Sequence, residues 1–321
     1  MTQKKTLVIL ALIFCQLNFG QNSMAKVEPF LKDIVLQFPN VRDVAVSNNE
    51  EEVYFTAQSY LGEISAIMTS KLINGKWNNP EVVSFSGKFQ DLEPFLSPDQ
   101  LRLYFVSNRP LDEKSITPKD HDIWFVERQN LKSNWSIPKN MGLPINTNED
   151  EFYPSATLSN NLYFTRDGKG SKGKDDIFVA MWENNHYATP ISMGDAINSN
   201  GYEFNAFVAP DESFMVFTCY NKTGGLGSGD LYISHKNEKD EWSIAENLGT
   251  AINSAQMDYC PFVNVKTGKL YFTSKRSGVK KIFEKNLNTN AFLEEANQYE
   301  NGLSRLYQVD FSNFIKPKIK N

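Results

Sequence analysis

Residues 93–110 read EPFLSPDQLRLYFVSNRP, and residues 120–128 continue with DHDIWFVER. In the first stretch, Pro94 and Phe95 precede a Ser97-Pro98-Asp99 turn. After the turn, apolar and polar residues alternate up to the pair Tyr104-Phe105. Short runs that are rich in aromatic and β-branched residues and bounded by turn residues are typical of β-strands. This stretch therefore predicts three consecutive short strands.

The same pattern recurs five times, about 50 to 60 residues apart. The residue pairs that mark it, aromatic in all units but the fourth, are Tyr54-Phe55, Tyr104-Phe105, Tyr163-Phe164, Val216-Phe217 and Tyr271-Phe272. In four units a further run follows: KWNNPEVV (76–83), NWSIPKNMG (134–142), HYATPISMG (186–194) and EWSIAENLG (241–249). Repeats of this length with four strands each are typical of β-propeller blades. We therefore predict an all-β fold, a five-bladed β-propeller of four-stranded blades.

The predicted blades begin near residues 41, 91, 150, 202 and 257. The fifth lacks a fourth run, whereas an unassigned run, VEPFLKDIVLQFP (27–39), precedes the first. We expect this N-terminal run to supply the outer strand of blade five, because ring closure removes an exposed sheet edge. Blade five also carries an insertion, 277–304, for which we expect a short helix within 291–299. Such a loop is either functional or a cover for a blade edge.

The N-terminus resembles a targeting segment. Lys4 and Lys5 precede an apolar run over 6–15, which is too short to span a bilayer of roughly 30 Å. We predict a signal peptide over residues 1–20 and one propeller domain over 21–321, in the periplasm or outside the cell. Acylation at Cys15 is disfavoured, because the preceding residue is Phe14. No later stretch predicts a membrane span.

The composition of the chain limits which ligands and cross-links we expect. A net charge of −5 argues against nucleic-acid binding, which needs a basic surface. Beyond Cys15, the chain has Cys219 and Cys260, which either form one disulfide or remain buried thiols. The histidines His121, His186 and His235 have no metal-ligand spacing, and we predict neither a metal site nor a cofactor.

Three phrases carry a family resemblance: 93–110, 120–128 and DYCPFVNVKTGKLYFTSKRSG (258–278). They resemble the WD40-like (TolB-type) bacterial β-propeller repeat, and the resemblance extends over 41–310. It implies a propeller of the cell envelope. It leaves the activity open, because that family includes partner-binding modules, assembly factors and enzymes.

Four carboxylates recur three residues before the repeat's proline or its Ala206 substitute: Asp91, Glu151, Glu203 and Asp258. If the first strands line the channel, these side chains form a ring whose oxygens could bind a ligand or a cation. Alternatively, each carboxylate caps a turn by accepting backbone N–H groups. A structural repeat reproduces its turn residues in every unit, which favours capping.

Two functions follow. The first is a monomeric, non-catalytic binding or scaffold protein whose partner is an envelope protein or a glycan. The second is a glycoside hydrolase or polysaccharide lyase acting on anionic glycans, with Glu93, Glu151, Glu203 and Asp258 as acid and base and Arg109 or Arg276 nearby. The sequence has no recognisable catalytic constellation, which favours binding.

Overall fold

The computed structural model describes residues 26–316. The predicted signal peptide, with Cys15, lies outside the described residues and stays a prediction. The described chain forms five small antiparallel sheets arranged as a five-bladed β-propeller, which confirms the predicted fold class. Four of these sheets have four strands, and the sheet of blade one has a short fifth strand.

The blades are described here from the inner to the outer strand. Blade one comprises Asn40–Val46, Glu52–Gln58, Ser65–Ile73 and Glu81–Val82, and blade two comprises Asp91–Leu96, Arg102–Ser107, Asp122–Glu127 and Lys139–Asn140. Blade three comprises Glu151–Ala156, Leu162–Arg166, Asp176–Ala180 and Ile191–Ser192, and blade four comprises Tyr202–Val208, Phe214–Tyr220, Gly229–His235 and Glu246–Asn247. Blade five comprises Asp258–Asn264, Lys269–Ser274, Arg305–Asp310 and Glu28–Pro29.

The remaining elements are short. Lys76–Trp77 pairs antiparallel with the end of the third strand of blade one, and Trp182–Glu183 pairs with His186–Tyr187 in a small hairpin. The described residues also form two helices, Lys32–Val35 and Thr289–Ala296. The predicted insertion helix therefore exists, but it begins two residues earlier than expected because the Asn288 side chain accepts the Ala291 N–H and caps its start.

The N-terminal run closes the ring as predicted. Glu28 and Pro29 lie opposite Gln308 and Tyr307, at the outer edge of blade five. The next residue, Phe30, donates its N–H to the Leu306 carbonyl and is buried, with its ring 4.7 Å from that of Tyr271. The pairing covers the edge strand of blade five and joins the first and last parts of the propeller.

Each inner strand contains one β-bulge. The register against the second strand shifts there in every blade, and the residue at the shift has a positive φ between 50° and 58°. We call these five the axial residues: Asp43, Glu93, Tyr153, Asn205 and Cys260. A left-handed conformation costs a non-glycine residue roughly 1–2 kcal/mol. Its presence in all five blades shows that the repeat itself imposes the bulge.

The propeller has two unlike faces. Connections between second and third strands emerge on one of them, which we call the loop-rich face; they span 59–64, 108–121, 167–175, 221–228 and 275–304. On the opposite face, tight turns join the first and second strands. These turns hold neighbouring blades together: Glu212 of blade four, for example, accepts hydrogen bonds from the Tyr163 hydroxyl (2.9 Å) and Asn161 (2.7 Å) of blade three.

Two further expectations concern cysteines and membranes. Cys219 and Cys260 are both buried and form no disulfide, so of the two predicted alternatives the structure has the buried thiols. Between residues 26 and 316, no helix is both long enough and apolar enough to cross a bilayer.

Candidate functional site

An arginine occupies the centre of the ring. The Arg42 guanidinium donates to Asp43 of its own blade (Nε–Oδ1 2.8 Å) and to Glu93 of blade two (Nη2–Oε1 2.8 Å). It also lies 3.5 Å from the Cys260 sulfur and 5.4 Å from the centre of the Tyr259 ring, both in blade five. One cation thus connects three blades at the axis.

The axial side chains bind one another around this cation. Glu93 accepts the Tyr153 backbone N–H (2.7 Å) and a hydrogen of the Asn205 side-chain amide (3.4 Å). The Cys260 thiol donates to the side-chain oxygen of Asn205 (3.4 Å). Burial raises the pKa of Glu93 to about 7, against the opposing effect of Arg42. Burial also raises the pKa of the Cys260 thiol, so the thiol stays protonated.

The Glu93 carboxylate accepts one axial N–H group, whereas threonine hydroxyls accept three others. The axial N–H groups of Asp43, Glu93 and Asn205 each donate to a threonine hydroxyl in the second strand of the preceding blade, at 3.1 Å. Those threonines directly follow the repeated aromatic pair: Thr56, Thr165 and Thr273. In blade two the equivalent residue is Val106, which has no hydroxyl, and the Tyr153 N–H is satisfied by the Glu93 carboxylate instead.

The four predicted carboxylates lie before the bulge, where each inner strand begins. Three accept the N–H and the hydroxyl of the residue four positions earlier: Glu151 from Thr147, Glu203 from Ser199 and Asp258 from Ser254. Asp91 likewise accepts the Gly87 N–H at 3.2 Å. This is the turn-capping arrangement, built from side chains that are at most 1% exposed.

Each of these carboxylates also faces a basic residue of its own blade. The pairs are Asp91–Arg109 (2.6 Å), Glu151–Arg166 (3.9 Å), Glu203–Lys222 (3.3 Å) and Asp258–Arg276 (3.3 Å). Burial raises the pKa of Glu151 to about 7 and raises that of Asp258. The proposed Arg109 and Arg276 are therefore held by carboxylates within their own blades.

Each of the four carboxylates is paired with a basic residue of its own blade. No hydrogen bond or ion pair within 26–316 joins two of them, and Glu93 contacts the axial residues rather than any of the four. In the same part of the chain, no group of three histidine, cysteine, aspartate or glutamate side chains is placed to hold a metal ion.

Arg42, Asp43, Tyr153 and Asn205 join Glu93 and Cys260 in the axial cluster, and sequence reasoning missed all four. The axial position holds five different residue types, so no repeated chemistry marks it. Two signals were present in the sequence: the position directly precedes the repeat's proline in three blades, and Val106 breaks the series of threonines.

An open groove lies instead on the loop-rich face, along blades one and two. It consists of two adjoining cavities of about 670 and 480 Å³, which share Lys88 and Phe89. The larger one is lined by Ile64 of blade one and Ile116 of blade two, whose side chains are 72% and 79% exposed. Cavities of this size are typical of small-molecule and oligomer subsites.

The smaller cavity combines apolar and polar walls. Trp124 lines it, and the Arg109 guanidinium lies 5.4 Å from the Trp124 ring centre. The indole N–H of Trp124 is buried without a hydrogen-bond partner among the described residues. Leu111 and Ile137, both largely exposed, form the remaining apolar wall.

Comparison with known proteins supports the architecture. No family model matches the chain, and no curated relative matches it. Among solved structures, one described as a glycoside hydrolase is similar over 88% of this chain and 89% of its own, with a TM-score of 0.54 and 8% identity. An α-L-arabinofuranosidase from Lactobacillus brevis covers 84% and 91%, with a TM-score of 0.47 and 12% identity. A putative TolB from Agrobacterium tumefaciens covers 73% and 69%, with a TM-score of 0.46 and 13% identity. At these identities the likeness extends to the fold alone.

Proposed function

We propose that this protein is a non-catalytic binding propeller of the cell envelope, with its ligand site in the groove along blades one and two. The observation that carries the proposal is the contrast between the two candidate regions. Glu93, Glu151, Glu203 and Asp258 are at most 3% exposed and are bound to neighbouring groups, whereas the groove is open and lined by exposed apolar side chains.

Catalysis by the four carboxylates would require a different arrangement. A glycosidase needs two carboxyl groups facing one bond across about 5 to 9.5 Å of open space. Here Glu151, Glu203 and Asp258 each accept hydrogen bonds from their own turn and face a basic residue of their own blade. Glu93 is bound at the axis by Arg42 and by the Tyr153 N–H.

The groove suits an extended ligand with both apolar and polar surfaces, such as an oligosaccharide or a peptide segment of an envelope protein. Phe89 lies where the two cavities meet, so a bound chain would pass across its ring. Aromatic rings offer large apolar area at low entropic cost. Trp124 and Arg109 would contact the part of the ligand in the smaller cavity.

The test is a panel of neutral, uronate-containing and sialylated oligosaccharides together with envelope-derived peptides, screened for binding and for turnover. We expect binding without turnover, and at least tenfold weaker binding by Phe89→Ala. Leu158→Ala, on the opposite face, is the matched control and should bind normally. Turnover of any glycan that Glu203→Gln abolishes would contradict the proposal and favour the enzyme.

A further inference from the structure

The blade-five insertion contains the longest exposed run of side chains in the described chain. Its eleven consecutive residues 280–290, KKIFEKNLNTN, are all exposed. Ile282 is 89% exposed, and Phe283 and Leu287 are 36% and 37% exposed. The following helix, Thr289–Ala296, buries no side chain and leaves Phe292 58% exposed.

The insertion is nevertheless anchored at its base. Ser277 and Asn301 form a β-bridge, and the Lys280 N–H donates to the Glu295 carboxylate at 2.6 Å. Nearby, Tyr299 is buried, and its hydroxyl donates to the backbone carbonyl of Leu306 and lies 3.2 Å from that of Phe30. The exposed apolar residues are therefore held away from the core by a fixed stem.

Lysines surround these apolar residues. Residues 275–287 contain five basic residues and one acidic residue, Glu284, in a chain whose net charge is −5. Arg276 is paired with Asp258, but Lys280, Lys281 and Lys285 form no ion pair within 26–316. The other carboxylates of the insertion are Glu294 and Glu295 on the helix and Glu300 beyond it, and the Glu295 carboxylate accepts the Lys280 N–H.

We propose that this insertion docks the propeller on an anionic membrane surface. Exposed aliphatic and aromatic side chains flanked by lysines are the pattern of interfacial membrane-binding segments. The charge complements acidic lipid headgroups, and the apolar side chains gain free energy by entering the acyl boundary. A soluble acidic polymer would satisfy the lysines but would leave Ile282 and Leu287 in water.

This docking is peripheral and does not depend on the groove along blades one and two. The insertion belongs to blade five, and none of its residues lines either groove cavity. Variants of the insertion are therefore expected to leave ligand binding in the groove unchanged, so that either proposal can fail without the other.

The experiment is vesicle co-sedimentation of the protein beginning at Gln21, which excludes the apolar run of the predicted signal. We compare phosphatidylcholine vesicles with vesicles containing phosphatidylglycerol, at low and high salt. The expected result is salt-sensitive binding to the anionic vesicles. Lys281→Gln/Lys285→Gln should weaken that binding about 30-fold, because each lysine near a charged surface contributes about fivefold.

A second readout separates insertion from surface attraction. Ile282→Cys carrying an environment-sensitive dye should shift its emission to the blue on anionic vesicles; Cys219 and Cys260 are buried and should not be labelled. Ile282→Ser/Phe283→Ser should lose vesicle binding. The control Lys266→Gln/Leu158→Ser, on the opposite face, should bind as the wild type does.

Three results would overturn the proposal. One is the absence of vesicle binding, and a second is equal binding by the insertion variants. The third is binding of soluble polygalacturonate without vesicle binding, which would assign the insertion to an acidic polymer instead.

Discussion

Replacing Arg42 by Met tests whether the axial cluster holds the ring together. The change leaves two carboxylates without their cation: Asp43 is 1% exposed and Glu93 is 3% exposed. Removing one partner of a buried ion pair costs about 3–5 kcal/mol, because the remaining charge is uncompensated. The Arg42 side chain is itself 21% exposed, so we expect the lower end, a loss of about 3 kcal/mol in the free energy of unfolding.

The assay is equilibrium urea unfolding at pH 8 and at pH 6. Glu93 has a pKa of about 7 and binds a proton more readily once Arg42 is gone, so the loss should be smaller at pH 6. The matched control is Arg102→Met, which removes an equally short ion pair to Glu127 (2.6 Å) with both partners about one-third exposed. Exposed pairs contribute about 0–1 kcal/mol, and the control should show no pH dependence.

A double variant completes this test. Arg42→Met/Glu93→Gln should recover more than half of the loss at pH 8, because glutamine still accepts the Tyr153 N–H but carries no charge. If Arg42→Met lowers the free energy of unfolding no more than Arg102→Met does, the axial ion pairs do not hold the ring together. The same conclusion follows if the loss for Arg42→Met is equal at both pH values.

Three further predictions follow from the buried carboxylates. The pKa of Glu93 is raised in the folded state from 4.5 to about 7, so the folded protein binds more protons and loses stability between pH 5 and pH 8. Glu93 should contribute up to about 3 kcal/mol of that loss, and Glu93→Gln should remove this part in urea unfolding and leave the part that is due to Glu151. Asp258→Asn should cost about 2 kcal/mol in thermal unfolding, because Arg276 loses its buried partner, and it should leave groove binding unchanged. A loss of binding at unchanged stability would contradict the turn-capping role. In a Glu93→Ala background, Val106→Thr should recover about 1 kcal/mol of the free energy of unfolding, because the new hydroxyl can accept the Tyr153 N–H. If urea unfolding shows no recovery, a threonine hydroxyl cannot replace the carboxylate as the acceptor.

Much of the fold was predictable from sequence because the repeat encodes it several times. The aromatic pairs, the turns and the fourth runs indicated five blades, and the unassigned N-terminal run indicated ring closure. What the pattern could not give was the inner-strand bulge. Its left-handed residue is Asp43 in one blade and Cys260 in another, and it depends on backbone geometry that the repeat imposes rather than on residue type.

The candidate site was less predictable for a related physical reason. Glu151, Glu203 and Asp258 recur because each turn needs an acceptor for its N–H groups, and a sequence cannot distinguish such a cap from a ligand-binding ring. The groove was not predicted at all. It arises where loops of blades one and two, which share no repeated motif, meet around Phe89.

Calorimetric titration of one ligand into Phe89→Ala and Glu93→Gln, compared with the wild type, distinguishes the groove from the axis as the ligand site. The ligand is the member of the oligosaccharide and peptide panel that the wild type binds best. If the ligand binds in the groove, Phe89→Ala should bind it at least tenfold more weakly than the wild type does. Glu93→Gln should bind it with an affinity within about twofold of the wild type at pH 6. Normal binding by Phe89→Ala together with loss of binding or turnover in a stably folded Glu93→Gln would contradict binding in the groove and place the function at the axis.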